Sequence, residues 1–326
     1  MMELRNFTDK TVFNYACYHF TEWVQQGQIT RPEFIIIAVL NGITILPAIL
    51  LNALVLFSIW RTPTLHTPAM VLLCNLALSD FAVGIIAQPI TVTSVVLELS
   101  PSVKPASFCS IAVFYGITSS LFAGVSLLSI TAVAVDRFLA LHLHLRYRMV
   151  VTRRSIIIYG GISWIVSSCI APLWILLGMD RYSAIISGLV ALCMVLIVLS
   201  YIHIFKVLQK HQSQITALQR SVNKTNSKNG PSGQTNMRRY KKSVISSLYI
   251  YFAFILCYLP LFLSLTYYAV TNENYFSPRL VRMSTVIVLT NSATNPAIYC
   301  WKIPELRNAV RDTLVWLGCN RRRGGT

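Results

Sequence analysis

The chain has 326 residues, of which 55% are hydrophobic and 12% are charged, and its net charge is +17. An ordinary soluble domain carries about 25% charged residues, so this composition excludes a water-soluble globule and favours a chain solvated by lipid. The Lys and Arg residues lie in short gaps between apolar runs and form no soluble basic module, which excludes nucleic acid as a partner. The eight cysteines form no CxxC pair and no Cys/His spacing suited to zinc, so no disulfide framework or metal cluster is expected.

Seven long apolar segments divide the chain, and each is long enough to form the roughly 20-residue helix that crosses a bilayer. The predicted membrane helices cover residues 34–60, 67–97, 108–142, 155–178, 183–208, 241–271 and 281–301. Most gaps between them are short, which favours antiparallel neighbours. The predicted fold is an all-α membrane protein, in which residues 34–301 form a seven-transmembrane helix bundle.

The distribution of Lys and Arg between the gaps predicts the orientation of this bundle. If residues 1–33 lie outside the cell, the outer segments hold only seven of the 28 Lys and Arg residues, an asymmetry that follows the positive-inside rule. We therefore expect a multi-pass plasma-membrane protein with an extracellular N-terminus. The sequon Asn6-Phe7-Thr8 then lies outside, where Asn6 can carry a glycan.

Residues 302–317 follow the last membrane helix and carry apolar residues at 303, 306, 310, 314 and 317, a spacing that places them on one helix face. This segment is too short and too charged to cross the membrane, so we predict a short amphipathic eighth helix in contact with membrane lipids. Cys319 follows in the predicted cytoplasmic tail, residues 318–326, and is a candidate palmitoylation site.

Asp80 is the one charged side chain within the apolar cores of these helices, which are residues 34–60, 67–97, 108–135, 155–178, 183–205, 243–271 and 283–301. A carboxylate at that depth is a functional candidate because it is costly to bury. Its candidate partners are amides and hydroxyls of the third and seventh helices, namely Ser126, Asn291, Ser292, Asn295 and Tyr299. Asn291, Asn295 and Tyr299 share one helix face through their spacing of four residues. Amide, hydroxyl and carboxylate oxygens are ligands that a small hard cation prefers.

Prolines inside predicted helices indicate kinks, because proline removes a backbone hydrogen bond. Pro260 and Pro296 lie inside the sixth and seventh helices. Kinked helices can pivot, and a switch between two packings requires such a movement. At the inner end of the third helix, Asp136-Arg137 closes a long uncharged run, so the Arg137 side chain can extend into the inner end of the bundle.

Six motifs, in the right order and at the right depth, resemble signatures of the rhodopsin-like (class A) G-protein-coupled receptors. They are Asn52 in LLNALVLF, Asp80 in NLALSD, Asp136-Arg137-Phe138 in AVAVDRFLAL, Trp164, Phe254 to Pro260 in FAFILCYLP, and Asn295-Pro296-Ala297-Ile298-Tyr299. The short gap between the fourth and fifth helices and the missing proline in the fifth resemble the melanocortin/adenosine-type branch. The resemblance implies a receptor, not an enzyme, that binds an extracellular small-molecule or peptide ligand and activates heterotrimeric G proteins at its cytoplasmic face.

The resemblance also implies roles for individual residues. The residues implied in G-protein coupling and activation are Asp136, Arg137, Leu145, Tyr201, Asn295, Pro296 and Tyr299. An allosteric sodium ion, the only cofactor implied, would bind at Asp80, Ser126, Asn291, Ser292 and Asn295. The switch in the sixth helix would comprise Phe254, Tyr258 and Pro260, and Tyr258 stands where the family usually has Trp.

The family's usual disulfide joins the third helix to the loop after the fourth, and that loop has no cysteine in this chain. Cys109 lies at the outer end of the third helix, and Cys17 is the only other cysteine predicted outside. A Cys17–Cys109 bridge is therefore our hypothesis, since closing a loop on the oxidising side would be stabilising.

The remaining candidates for the ligand pocket are Ser119, Phe122, Tyr258, Phe262 and Tyr268, each of which fits a packing role as well as a contact with the ligand. Peptide-binding relatives in the melanocortin branch carry acidic residues at the outer ends of helices 2 and 3. The matching positions here are Ile90, Ala112 and Gly116. We expect an uncharged, aromatic-lined cavity that suits a neutral or lipid-like ligand.

Three other functions fit a seven-helix membrane chain less well. A transporter favours internal repeats with matching broken helices, and the sequence shows none. An enzyme needs a Ser/His/Asp set or a His-rich metal site at one depth, and neither is found. A receptor-like protein that binds ligand without G-protein signalling stays open, although the intact Asp136-Arg137 pair argues against it.

Overall fold

The computed structural model describes residues 31–99, 105–143, 146–224, 232–271 and 277–323. The long helices in these ranges are α1 (Arg31–Arg61), α2 (Pro68–Leu99), α3 (Pro105–Leu143), α4 (Arg153–Leu177), α5 (Met179–Lys224), α6 (Ser232–Thr271), α7 (Ser277–Lys302) and α8 (Pro304–Arg323). A one-turn helix, Tyr147–Val150, lies between α3 and α4. We call the end of the structure at which α1 begins the outer end, and the opposite end the inner end.

Helices α1 to α7 form one bundle with α3 near its middle. Helix α1 packs against α2 and α7, α3 packs against α2, α4 and α5, and α6 packs against α5 and α7. Large apolar side chains such as Leu46, Ile165 and Leu263 are more than half exposed on the bundle surface, whereas Asn52 and Asp80 are buried inside it. Apolar surfaces around a polar interior suit a bundle surrounded by lipid. The predicted all-α seven-helix architecture is confirmed.

Six of the described helices, α1 to α6, are long and apolar enough to cross a membrane. Helix α7 is less apolar than these six helices. Its hydropathy is lowered by Arg279, Arg282 and the run Thr290-Asn291-Ser292-Ala293-Thr294-Asn295. Its polar side chains are buried against the other helices, as at Ser292 and Asn295, both nearly inaccessible to solvent. Polar residues inside a membrane bundle are tolerated where they face protein and find partners.

The helices of the inner half extend beyond the predicted apolar spans. Helix α5 runs to Lys224 where the predicted span ends at 208, and α6 begins at Ser232 where the predicted span begins at 241. The thickness of the bilayer limits only the apolar part of a helix. Gln, Lys, Arg and Leu, which populate these extensions, are good helix formers outside the membrane as well.

Local breaks occur at the prolines. Pro47, Pro260 and Pro296 lie inside α1, α6 and α7. Before Pro89, α2 widens into a π-helical turn over Val83–Ala87, in which the Gln88 N–H reaches the carbonyl of Val83. The proline ring crowds the carbonyl four residues before it, and the wider turn accommodates that clash.

The connection between α4 and α5 is a single residue, Gly178. Its φ of 79° lies in the left-handed region, which glycine adopts without steric cost. This turn is shorter than the predicted gap of residues 179–182, because α5 already begins at Met179.

Helix α8 turns away from α7 and packs against α1 and α7. Leu306, Ala309 and Thr313 are buried on one face, while Leu314 and Val315 are exposed on another. The guanidinium of Arg61 lies 4.6 Å from the centre of the Trp316 ring and joins α1 to α8. An amphipathic eighth helix is confirmed, and it ends at Arg323 rather than at 317.

Candidate functional site

The carboxylate of Asp80 is the polar centre of the bundle. Its side chain is 1% exposed, and it accepts hydrogen bonds from Ser292 Oγ at 2.8 Å, Ser126 Oγ at 3.4 Å and Asn295 Nδ2 at 2.7 Å. These donors lie on α3 and α7, so one carboxylate joins three helices. Charge-assisted hydrogen bonds of this kind are stronger than neutral ones, which offsets part of the cost of burying the acid.

Further polar contacts surround this centre. Asn52 Nδ2 on α1 donates to the Ser292 carbonyl at 3.0 Å, and Ser79 Oγ lies 3.0 Å from Ser126 Oγ. On the far side of α2, Asn75 accepts from the Trp164 indole N–H at 3.0 Å and donates to Ser129. The contacts around Asp80 join α1, α2, α3 and α7, and the separate bonds of Asn75 join α2 to α3 and α4.

Of the five residues predicted to bind sodium, Asn291 does not bond to Asp80. Its Oδ1 accepts from Thr294 Oγ1 at 3.0 Å and from Cys257 Sγ at 3.5 Å. Asn291 still lines the small space beside Asp80, together with Ser126 and Ser292, but this space is too narrow for a water-sized atom. The oxygens present are chemically suited to a hard cation, and an ion would need this space to widen.

A larger cavity opens between α3, α4, α5, α6 and α7 toward the outer end, with an interior volume of about 210 Å³. Of the predicted pocket residues, Ser119 and Tyr258 line it, whereas Phe122, Phe262 and Tyr268 do not. Phe122 instead packs edge-on against Trp164, with ring centres 6.1 Å apart. Phe122 lies on the side of α3 that faces α4. Its neighbours on α3 can still line the cavity, because residues one or two positions apart on a helix point in different directions.

The sequence analysis missed Tyr115, Trp174, Tyr182 and Arg282, which also line this cavity. Arg282 contradicts the expectation of an uncharged lining. Its Nη1 and Nη2 donate to Glu98 of α2 at 2.8 Å and 2.5 Å, and both side chains are buried. The signal in the sequence was weak, because Glu98 follows and Arg282 precedes the apolar core of its helix, and both resemble loop charges.

Tyr258 connects the cavity with the Asp80 centre, since its side chain lines both spaces. It is 2% exposed, and its hydroxyl donates to the Ala123 carbonyl at 2.9 Å. Its ring stacks on Phe254, one turn further toward the inner end, with ring centres 4.2 Å apart. The predicted switch residues Phe254, Tyr258 and Pro260 therefore lie along one stretch of α6, which reaches from below the cavity to the level of its lining residue Leu261.

At the inner end, Asp136 is held by a residue that the sequence analysis did not identify. Tyr147 donates to Asp136 Oδ1 at 2.6 Å, while Arg137 Nε lies 4.0 Å from Oδ2. Burial, followed by the bond to Asp136, raises the pKa of Tyr147 above its ordinary value, so this hydroxyl stays protonated and donates at neutral pH. The Arg137 side chain is 37% exposed. It lines an inner cavity with His66, Tyr147, Arg153 and Lys302.

Other predicted coupling residues lie apart from Arg137 or outside the described residues. Tyr299 is fully buried, and its hydroxyl has no hydrogen-bond partner among the described residues. Tyr201 stacks on Phe205 of its own helix, with ring centres 6.2 Å apart. Asn295 is bonded to Asp80, Pro296 lies inside α7, and Leu145 falls outside the described residues.

Replacing Tyr147 by Phe removes a donor from a buried carboxylate. We expect Tyr147→Phe to lower the free energy of unfolding by about 1.5–3 kcal/mol, the range for hydrogen bonds to charged groups. Tyr159→Phe is a matched control, because Tyr159 donates to the neutral Leu128 carbonyl at 2.8 Å. Thermal unfolding of the purified proteins should show the larger loss for Tyr147→Phe, and equal losses would contradict the charge-assisted bond.

The predicted modification sites are placed only in part. Cys109 is disulfide-bonded, and Cys74, Cys169, Cys193, Cys257 and Cys300 are free. Cys17 and Asn6 lie outside the described residues, as does the side chain of Cys319 in the last turns of α8.

The chain is similar to known membrane receptors over most of its length. The family described as 7 transmembrane receptor (rhodopsin family) matches residues 51–184 and 179–299. Melanocortin receptor 5 of Homo sapiens is 26% identical over 278 residues, which cover 83% of this chain and 82% of that receptor. Adenosine receptor A3 of Ovis aries is 26% identical over 307 residues, covering 85% and 88% of the two chains. Melanocortin receptor 3 of Mus musculus is 25% identical over 283 residues, covering 82% and 81%. The family match includes every residue of the Asp80 centre.

Proposed function

Because the chain belongs to the rhodopsin family of seven-transmembrane receptors, we propose that it binds a ligand in the outer cavity and activates a heterotrimeric G protein at its inner end. The predicted family is confirmed, and its melanocortin and adenosine relatives match the predicted branch. The receptor lies in the plasma membrane with its N-terminus outside. The excess of Lys and Arg in the inner gaps supports that orientation.

The observation that carries this proposal is the position of Tyr258 between two spaces. A ligand in the outer cavity touches Tyr258, and Tyr258 also borders the closed space beside Asp80. A shift of this ring changes the packing of Phe254 below it and the room beside Asp80. The ligand can therefore bind one packing of the bundle better than another, which is the requirement for shifting a population.

The inner half of the bundle is built to respond to such a shift. Pro260 and Pro296 interrupt the hydrogen bonding of α6 and α7, so the inner parts of these helices can pivot. Arg137 borders the inner cavity and is only weakly held by Asp136 at 4.0 Å, which leaves its guanidinium available to a partner. In this mechanism Tyr201 and Tyr299 turn toward Arg137 in the active packing, and Leu145 contacts the G protein.

The direct test is ligand-free activation of a panel of Gα subtypes in cells that express the receptor at a known surface level. A signal above that of untransfected cells from one Gα class supports the proposal and names the coupling partner. If a purified ligand binds the receptor but activates no Gα subtype, the chain is a receptor-like binder without G-protein signalling, and the proposal is wrong.

Sodium binding at Asp80 is part of the same proposal, with Ser126, Asn291 and Ser292 offering the further oxygens. We expect that replacing sodium by N-methylglucamine changes ligand-free signalling of the wild type and leaves Asp80→Asn unaffected, since a neutral amide holds the ion poorly. Asp312→Asn, at an exposed acid of α8, is the control and should keep the wild-type response. A sodium response that survives in Asp80→Asn contradicts the site.

Three covalent features, two at the outer end and one at the inner end, belong to the proposal as well. We propose that Cys109 pairs with Cys17, that Asn6 carries a glycan and that Cys319 carries a palmitoyl chain. Peptide mapping without reduction should recover the Cys17 and Cys109 peptides joined. Recovery of a free Cys17 thiol from the folded receptor contradicts the pairing.

A further inference from the structure

Resting on the proposed receptor function, we infer that the ligand is an uncharged lipid with a carbonyl or hydroxyl acceptor, which enters the outer cavity from the bilayer between α4 and α5. Three features of the cavity support this ligand: its charge, a donor without a partner in its wall, and the exposed side chains at its edge.

The cavity has no net charge to offer a charged ligand. Among the described residues, Arg282 is the one charged side chain in its lining. The bidentate salt bridge to Glu98 already neutralises that guanidinium, and both side chains are less than a tenth exposed. An anion would have to displace Glu98 and leave it buried without a partner, and a cation would meet an arginine, so a neutral molecule fits best.

One donor in this wall has no acceptor. The Nε–H of Arg282 is buried and makes no hydrogen bond among the described residues, although the other two guanidinium nitrogens are bonded. Its side chain is 4% exposed. A buried donor without a partner is destabilising, so a ligand oxygen that this hydrogen reaches after a small movement of the Arg282 side chain would satisfy it and stabilise the complex. A single carbonyl, ester or hydroxyl oxygen meets that need without carrying charge.

The edge of the cavity reaches the lipid-facing surface between α4 and α5. Val166 and Leu189 both line the cavity and are 40% and 39% exposed. We call the gap between these two side chains the α4–α5 window. Leu189 lies ten residues after the start of α5 at Met179, which puts it about 15 Å along the helix from the outer end. That depth lies within the hydrocarbon core, about 30 Å thick, so a molecule using the window must already be dissolved in lipid.

The test uses purified receptor in bilayer nanodiscs and a monooleoylglycerol that carries a photoreactive diazirine and a clickable tag. Unlabelled monooleoylglycerol, oleyl phosphate and oleylamine, which share one hydrocarbon chain and differ in charge, compete with the probe. We expect the neutral lipid to compete best. Labelling that oleyl phosphate or oleylamine suppresses more strongly overturns the neutral class.

Two pairs of variants separate the parts of the inference. Leu189→Trp should block the window and slow labelling about tenfold, whereas Leu192→Trp, on an exposed side chain of α5 outside the cavity lining, should label like wild type. The charge-balanced double variant Glu98→Gln/Arg282→Met removes the Nε–H and should weaken binding about tenfold or more. Glu33→Gln/Arg279→Met, which removes the second ion pair found among the described residues of the outer end, should have no effect.

Equal labelling of Leu189→Trp and Leu192→Trp overturns entry through the window, and unchanged affinity in Glu98→Gln/Arg282→Met overturns the role of Arg282. These readouts use no G protein. A receptor that binds the neutral lipid but activates no Gα subtype supports this inference and contradicts the proposed function. A receptor that activates a Gα subtype, but on which oleyl phosphate or oleylamine suppresses the labelling more strongly than monooleoylglycerol does, supports the proposed function and contradicts this inference.

Discussion

We expect Arg282→Ala to lower the free energy of unfolding by about 3–5 kcal/mol, the cost of leaving one partner of a buried ion pair alone. Glu98 is 8% exposed and accepts both of its charged hydrogen bonds from Arg282. Without Arg282 its carboxylate stays buried with no compensating charge, and the contact between the outer ends of α2 and α7 is lost. Thermal unfolding of the purified receptor measures the loss.

The double variant Glu98→Gln/Arg282→Met tests whether the unpaired charge of Glu98 causes this loss of stability. Because it removes both charges, most of the stability should return, as it does when buried ion pairs are replaced together by neutral groups. Arg279→Ala is the matched control one turn away on α7, where the side chain is 27% exposed in its pair with Glu33 and should contribute less. If the double variant is as unstable as Arg282→Ala, an unpaired charge is not the cause.

Arg137→Ala should abolish G-protein activation while leaving surface expression and ligand binding intact. Arg137 borders the inner cavity, and its side chain is exposed and weakly paired, so removing it costs the folded receptor little. Losing a charged contact to the partner costs about 2 kcal/mol or more, which lowers coupling by a factor of about thirty. Ligand-free Gα activation at matched surface levels measures the change.

Arg153→Ala provides the comparison for this effect, since Arg153 lines the same inner cavity and carries the same charge. If any positive charge in this cavity served equally well, Arg137→Ala and Arg153→Ala would lose the same fraction of G-protein activation. We expect Arg153→Ala to keep most of the signal, because Arg137 lies beside Asp136 and Tyr147 at the end of α3 and Arg153 does not belong to that group. Equal losses would contradict a specific role for Arg137.

The sequence predicts the architecture well because lipid imposes simple rules on a chain. Long apolar runs must form helices in a membrane, and the polar residues inside them must face one another. For that reason Asp80, Ser126, Ser292 and Asn295 could be grouped from their depth and from the family resemblance. Helix faces alone were less accurate, because Asn291 and Tyr299 share a predicted face with Asn295 and do not bond to Asp80. The ends of α5 and α6 could not be predicted in the same way, since outside the membrane a polar helix and a polar loop have similar compositions.

Contacts between distant residues at the edges of the membrane were the part that sequence reasoning missed. Glu98 and Arg282 look like ordinary loop charges in the sequence, yet their side chains meet between α2 and α7 and are buried there. Tyr147 belongs to a short helix whose position on α3 depends on tertiary packing, so its bond to Asp136 leaves no local pattern. Phe122 was assigned to the cavity by residue type, whereas its rotation on α3 turns it toward Trp164.

The one-residue connection at Gly178 has a consequence for how receptors built in this way can diverge. Where a long loop covers a binding site, insertions and deletions in that loop can alter ligand preference without disturbing the bundle. Between Leu177 and Met179 only a glycine with a positive φ joins two helices, so this part of the site has no loop to vary. New specificity must arise there from substitutions at lining positions such as Trp174, Met179 and Tyr182. Each of these side chains also packs the bundle, so ligand preference and folding stability evolve together at this end of the receptor.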